Sequence, residues 1–219
     1  SAALLIHGTA GSLTLDGGTV SGNVDVTSNL SIGSSIQIKS GASFTMNSGS
    51  ITGNGISAYS QGSIQIKGAG VYVTDADSSF TMNGGSINGN YARYGAGVAV
   101  ENGAKFDMLG GEIKDNKFCH GNEGGGAVFV NNATFNMSGT SVISGTDYYD
   151  PSKSGNSVQK NGGGVYVQGT NSSFTMDGGT IMDNAADDAN NGGGGGVYIS
   201  GGTVNLKNGT IKNNKSGIS

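Results

Sequence analysis

The sequence contains few cysteines, prolines, tryptophans and charged residues. It has one cysteine, one proline and no tryptophan in 219 residues, and Asp, Glu, Lys and Arg together make up 12% of the chain. The single cysteine, Cys119, excludes an internal disulfide. The net charge is −4 and the lysines are scattered, so no basic stripe predicts nucleic-acid binding. No apolar run approaches the roughly 20 residues that a membrane-spanning helix needs.

Metal ligands are also scarce, and we expect no cofactor. Cys119 is adjacent to His120, the chain has only two histidines, and a zinc site needs about four ligands. Calcium binds six to eight oxygens, usually from several carboxylates. The best acidic candidates for a weak calcium site are Asp183, Asp187 and Asp188.

Glycine, in contrast, is abundant, with 43 residues, and it falls at fixed places in a phrase that recurs seven times. Each copy begins with an apolar–polar–apolar triplet, as in Phe80-Thr81-Met82. A second apolar anchor follows seven positions after the first residue of the phrase. The predicted anchors are Val20, Ile51, Ile87, Ile113, Val142, Ile181 and Ile211.

This repetition predicts the fold class. The alternation is typical of a short strand with one buried face, and a further apolar triplet, such as Val71-Tyr72-Val73, precedes each phrase. Identical spacing in every copy favours stacking of like residues on like residues. We therefore expect an all-β, right-handed, single-stranded parallel β-helix of about seven rungs with three short strands each. Residues 1–219 would form one domain, as a segment of a longer repeat protein.

A column of asparagines is expected at one corner of this helix. Three positions after each anchor comes Asn23, Asn54, Asn90, Asn116, Gly145, Asn184 or Asn214. Stacked amides can form a hydrogen-bonded ladder, so we expect a structural role for this column. The fifth copy departs from the pattern, because Gly145 takes the asparagine position and Thr140 takes a corner glycine position.

Length variation is concentrated in one interval of the repeat. The separation from each anchor to the next triplet ranges from 11 to 23 residues, whereas the other connections hardly vary. All insertions would therefore lie along one edge of the helix, where binding loops are common in repeat proteins.

Aromatic residues lie beside this edge. We expect the middle positions of the first triplets to face outward as an exposed row, interrupted by Ala99, with further tyrosines in the adjacent loops. The candidate binding residues are Tyr72, Tyr94, Phe129, Tyr148, Tyr149, Tyr166 and Tyr198. Such a surface suits contact with a sugar or a protein. Packing of the rings against one another is the alternative interpretation.

Two elements of the repeat resemble a known family. Gly125-Gly126-Ala127-Val128 matches a GGA-[ILV] element, and Phe44–Asn47 and Phe80–Asn83 match FxxN. Together they resemble the repeats of chlamydial-type polymorphic outer membrane proteins. More broadly, GGGVYV…FTMDGGTI is similar to repeats of adhesin-like bacterial surface proteins with a pectate-lyase-like β-helix. The resemblance implies an extracellular or cell-surface module that contacts a host or matrix protein or a glycan, beside neighbouring repeats of its own chain.

The expected function is therefore that of a non-enzymatic adhesin-like or structural module. The alternative is a carbohydrate-active or carbohydrate-binding β-helix, similar to polysaccharide lyases or glycosidases. A glycosidase needs two positioned carboxylates, and the sequence pairs no two of them convincingly. An ice-binding face is a third option, but its outward row (Thr14, Thr45, Thr81, Asp107, Asn136, Thr175, Asn205) is not uniformly threonine.

Overall fold

The computed structural model describes residues 2–24, 34–55, 66–118, 124–145, 157–158, 161–186 and 193–216. All regular structure in these ranges is β-strand. Among these residues there is no helix of the length and apolar character that crossing a membrane requires. Every pairing between the described strands is parallel, so the all-β, parallel class is confirmed.

The first sheet takes one short strand from each repeat. The strands follow one another in chain order, each parallel to the next. They are β1 (Leu4–His7), β3 (Ile36–Lys39), β5 (Val71–Thr74), β9 (Val98–Glu101), β13 (Val128–Asn131), β16 (Val165–Gln168) and β19 (Val197–Ile199). The triplets that precede each phrase are therefore strands, as the alternation predicts.

The repeated phrase forms a second sheet of nine strands. These are β2 (Ser12–Ser21), β4 (Ser43–Thr52), β6 (Ser79–Met82), β7 (Ser86–Asn88), β10 (Lys105–Met108), β11 (Glu112–Lys114), β14 (Thr134–Ser144), β17 (Ser173–Met182) and β20 (Thr203–Lys212). We expected two separate strands in each phrase, but only the third and fourth repeats are interrupted. The corner glycine takes a positive φ in both kinds of repeat, 96° at Gly49 and 86° at Gly85. It bends the chain without always ending the strand.

A third sheet follows the asparagine corner and was not foreseen. Its five strands have two residues each, too few for any alternation to show in the sequence. They are β8 (Tyr91–Ala92), β12 (Lys117–Phe118), β15 (Ser157–Val158), β18 (Ala185–Ala186) and β21 (Lys215–Ser216). From the third repeat onward, the chain therefore passes from the first sheet to the second and then to the third.

A column of phenylalanine rings fills the interior between the sheets. Neighbouring rings stack with centroids 4.7–4.9 Å apart and planes within 3–8° of parallel. The column consists of Phe44, Phe80, Phe106, Phe135 and Phe174, all almost completely buried. A methionine two residues after each of these rings is equally buried, which confirms the predicted inward positions. The flexible thioethers fill the space beside the rings.

The fifth repeat contains one extra residue, so its predicted anchor is wrong. The strand register shifts between Gly139 and Val142, and Ile143, not Val142, pairs with Ile113 and Ile181. Ile143 is fully buried. Both residues are apolar, so the sequence alone could not locate the bulge. Because of the extra residue, Gly145 aligns with the residue that precedes the ladder asparagine in the other repeats. The position that aligns with the asparagine itself is 146, which lies outside the described residues.

The predicted asparagine ladder is confirmed. Within the runs Asn23–Asn54–Asn90–Asn116 and Asn184–Asn214, each side-chain Nδ2 donates to the Oδ1 of the next asparagine at 2.9 Å. The backbone N–H donates to the same oxygen at 3.0–3.1 Å. From the second copy onward, Nδ2 also donates to the carbonyl of an anchor in the preceding copy. These bonds satisfy buried amides and fix the corner.

Close packing at this corner explains a glycine before the first-sheet strands. A Cβ at Gly97 would lie 2.7 Å from the carbonyl oxygen of Ala127 and 3.1 Å from Nδ2 of Asn116. The corner therefore excludes larger residues at that position.

Coverage of the interior decreases at both ends of the stack. The large apolar residues exposed in the first and last repeats include Leu4, Leu5, Ile199, Leu206 and Ile211. Their counterparts in the central repeats are buried. The end strands β1 and β19 each have a neighbour on one side only.

Candidate functional site: an aromatic row beside a buried glutamate

The middle residues of the first-sheet strands lie in register, one above another. Tyr72 pairs with Ala99, Ala99 with Phe129, Phe129 with Tyr166, and Tyr166 with Tyr198. Parallel in-register pairing places these side chains on the same face of the sheet. The structure therefore brings together four of the predicted aromatic residues.

Tyr94 completes the row at the place where Ala99 leaves a gap. It belongs to the connection before β9 and packs in one cluster with Ala99. Its ring centroid lies 5.1 Å from that of Phe129, at an interplanar angle of 45°. The next pairs, Phe129–Tyr166 and Tyr166–Tyr198, are tilted by 56° and 54°. Tilted contacts at this distance are favourable for aromatic rings.

The row is a packed cluster: its expected exposure is wrong at Tyr72, Phe129 and Tyr166, and the rings pack against one another, as the alternative interpretation holds. Tyr72, Tyr94, Phe129 and Tyr166 are only 2–8% exposed, whereas Tyr198 is half-buried. The rings contact one another because successive strands of the sheet are close enough for aromatic side chains to meet. A contact of this row with a ligand stays a prediction. The predicted residues Tyr148 and Tyr149 lie outside the described residues.

A buried carboxylate at the edge of the row was not predicted from the sequence. Glu101, at the end of β9, is 2% exposed. It accepts a hydrogen bond from the hydroxyl of Tyr72 at 2.8 Å and another from Nδ2 of Asn131 at 3.1 Å. Lys67 Nζ lies 2.9 Å from both carboxylate oxygens. These four residues form what we call the Glu101 cluster.

The Glu101 cluster is stabilised by charge and by the aromatic row. Lys67 is 27% exposed and its ammonium lies 5.6 Å from the centre of the Tyr94 ring, within the range of a cation–π contact. Burial raises the pKa of Tyr72, and the negative charge of Glu101 raises this pKa further. The hydroxyl therefore remains a donor to the carboxylate at neutral pH.

The signal for the Glu101 cluster in the sequence was weak. Glu101 follows an apolar triplet at a position that holds Thr74, Asn131 or Gln168 in nearby repeats. Only the register shows that Thr74, Glu101 and Asn131 are adjacent. Lys67 lies outside the repeated phrase, and its position beside Glu101 depends on the tertiary structure.

A second group of a lysine, an acidic residue and an asparagine lies on the outer face of the second sheet. Lys105 Nζ lies 2.8 Å from Asp107 Oδ2, and Asn136 Nδ2 donates to Asp107 Oδ1 at 2.8 Å. The side chain of Lys105 is 51% exposed and that of Asp107 is 23% exposed. We call Lys105, Asp107 and Asn136 the Asp107 cluster; it is solvated, in contrast to the Glu101 cluster.

The weak calcium candidates gain no support from the described residues. Asp183 is exposed and has φ 55°, a left-handed corner conformation that it shares with Asp115 and Asn213 in other repeats. Short polar residues tolerate this conformation, which accounts for an acid at position 183. Asp187 and Asp188 lie outside the described ranges. Within those ranges, no three Asp, Glu, His or Cys side chains are grouped as a metal site.

Comparisons with known proteins identify no relative. No protein-family model matches the chain, and neither the curated proteins nor the solved structures include a significant match to it.

Proposed function

We propose that the chain is a right-handed parallel β-helix of about seven rungs, with three short strands each, that serves as a non-enzymatic structural or adhesin-like module. The observation that carries this proposal is the continuity of the interior. The phenylalanine column crosses five consecutive repeats, and asparagine ladders run along one corner. Each repeat packs on its neighbours, so the chain can grow into a stiff rod.

A rod of this kind suits a protein that holds other segments away from a surface. We propose an extracellular location, at a bacterial cell surface or in secreted form, because the repeat phrases resemble those of polymorphic outer membrane proteins and adhesin-like β-helices. The exposed apolar residues at both ends, including Leu5 and Leu206, favour contact with neighbouring repeats of the same kind. Antibody labelling of intact cells, together with detection of the chain in the culture medium, tests the location, and a chain that is detected only after the cells are broken would contradict it.

The variable connections are the proposed binding edge. In chain order they lie between the second-sheet strands of one repeat and the first-sheet strand of the next, and they carry the predicted residues Tyr94, Tyr148 and Tyr149. Loops on a rigid scaffold can change without disturbing the core. The proposed partner is a host or matrix protein or a glycan that contacts this edge.

Displaying the chain on beads tests the binding proposal. We expect the beads to retain one class of matrix protein or glycan, and Tyr148→Ala with Tyr149→Ala to reduce retention at least about tenfold, as loss of aromatic anchors does at interfaces. Thr9→Ala, an exposed residue in the turn between β1 and β2 and outside the variable connections, is the control and should bind as the original chain does. Absence of binding to every partner class would leave only the structural role.

A carbohydrate-binding function is the second candidate, favoured by the outer face of the second sheet. Small hydroxyl and amide side chains alternate there with buried residues, for example Ser43, Thr45 and Asn47 on β4. The same pattern recurs on β6 and β17. Such a flat polar face can donate and accept hydrogen bonds along a sugar chain. Glycan binding lost in Thr45→Val with Thr81→Val, but kept in the Tyr148 and Tyr149 variant, would support this alternative over the loop edge.

A further inference from the structure

The Glu101 cluster holds an amine and a carboxamide against the same carboxylate. We propose that Lys67 and Asn131 are joined by an intramolecular isopeptide bond, with Glu101 transferring the protons. The inference rests on the three side chains alone and is independent of the proposed function.

The carboxylate brings the two reacting groups together. Lys67 Nζ and Asn131 Nδ2 both lie within hydrogen-bonding distance of the same atom, Glu101 Oε1, at 2.9 and 3.1 Å. The two nitrogens are therefore separated by at most two hydrogen bonds, and Cγ of Asn131 is one covalent bond from Nδ2. A rotation of the half-buried Asn131 side chain away from its bond to Glu101 would bring this carbon toward the amine. Pre-positioning of this kind replaces a collision between separate molecules.

The reaction balances without any further reactant. Glu101 takes a proton from the Lys67 ammonium, and the free amine attacks Cγ of Asn131 to form a tetrahedral intermediate. Glu101 passes this proton to Nδ2 and then takes a second proton from the attacking nitrogen; the Cγ–Nδ2 bond breaks, and the departing ammonia accepts the second proton from Glu101 and leaves as ammonium. An amide between Lys67 Nζ and Asn131 Cγ remains, and the carboxylate returns to its starting state. Glu101 is thus the general base and then the general acid.

The surroundings favour this step over hydrolysis. Glu101 is 2% exposed, the Tyr72 hydroxyl holds it at 2.8 Å, and the Tyr94 ring lies beside the lysine. Protein groups therefore take the place of water around the carboxylate. The resulting bond would connect the start of the third repeat to β13 of the fifth, across β9. It would tie three successive repeats together against pulling along the rod.

The Asp107 cluster provides a matched control within the same chain. There the lysine and the asparagine contact different oxygens, Oδ2 and Oδ1 of Asp107. Lys105 is also half-exposed, so water surrounds the amine. We expect no bond between Lys105 and Asn136.

Intact-mass spectrometry of the purified chain, denatured after folding, tests the proposal. The expected mass is below the sequence mass by one ammonia, and tandem spectra of a digest should show a branched peptide linking Lys67 to Asn131. Lys67→Arg and Glu101→Gln should each have the full mass of their own sequence. Lys105→Arg should still show the loss of ammonia.

Two results would overturn the proposal. One is a folded original chain that has its full sequence mass, which needs no variant to interpret. The other is a loss of ammonia that persists in Lys67→Arg, because this would come from cyclisation at one of the Asn-Gly pairs instead. Circular dichroism of each variant confirms that the masses are compared between folded proteins.

Discussion

Two aromatic columns run along the repeats, and they are built differently. In the interior column, five phenylalanines stack with nearly parallel planes, within 3–8°. In the outer row, rings meet at 45–56°, and Tyr94 reaches in from a connection to fill the place of Ala99. Strict spacing gives each interior ring the same environment, whereas the outer row depends on a residue outside the repeat. The first column is therefore a property of the repeat, and the second is a property of this particular chain.

The largest effect should follow from opening the interior column. Phe106→Ala removes a ring that stacks on Phe80 and Phe135 and leaves a cavity that its neighbours cannot fill. We expect a loss of about 3–5 kcal/mol in the free energy of unfolding, measured by urea denaturation. A neutral substitution would show that the ring does not belong to the core.

A smaller effect is expected at the gap in the outer row. Tyr94→Ala should cost about 2 kcal/mol, less than the interior ring, because the cavity opens beside Lys67, whose side chain is 27% exposed. Adding Ala99→Phe restores a ring at the empty register position, so the double variant should recover part of this stability. Ala99→Phe alone should destabilise the chain, because Tyr94 already occupies the space. Additive effects of the two substitutions in urea denaturation would refute the idea that they share one site.

The next effect depends on pH and tests the buried edge of the outer row. The pKa of Tyr72 is raised above its ordinary value of 10.0, first by burial and then by Glu101. Above about pH 10 the unfolded tyrosine therefore loses its proton while the folded one keeps it, so stability falls as pH rises. By about pH 11 the resulting loss in the free energy of unfolding amounts to about 1.4 kcal/mol. Tyr72→Phe should remove that part of the decline in the free energy of unfolding. Parallel curves of this free energy against pH for the two proteins would contradict the prediction.

The smallest effect is expected on the solvated face. Lys105→Ala breaks an ion pair with Asp107 in which the lysine is half-exposed. Exposed pairs contribute little, so the free energy of unfolding should change by less than about 0.5 kcal/mol. A loss above about 1 kcal/mol in the same urea experiment would mean that this cluster is structurally important as well.

Much of the interior was predictable, because it follows from spacing. The alternation around Phe80 and Met82 identified the inward positions, and the recurring asparagines identified the ladder. The bulge in the fifth repeat was not predictable, since Val142 and Ile143 are equally apolar. The two-residue strands of the third sheet were too short to leave a pattern.

The candidate site was only partly predictable. The aromatic residues were identified from the sequence, but whether they are exposed or packed against one another was left open, because this depends on contacts between neighbouring strands. The Glu101 cluster unites residues about 30 positions apart in the chain. No local pattern indicates such a contact, and only the register of β9 and β13 places Glu101 beside Asn131.

The repeats stack in register, so that like positions follow one another at a constant step. Thr14 and Asn205 are the ends of a row in which each residue pairs with its counterpart in the next repeat. Spin labels at Thr14 and Asn136, and at Thr14 and Asn205, in a chain with Cys119 replaced by Ser, allow double electron–electron resonance to measure this row. At about 4.8 Å per step, the two separations should be about 19 and 29 Å. Equal separations, or a shorter one for the more distant pair, would contradict the stack.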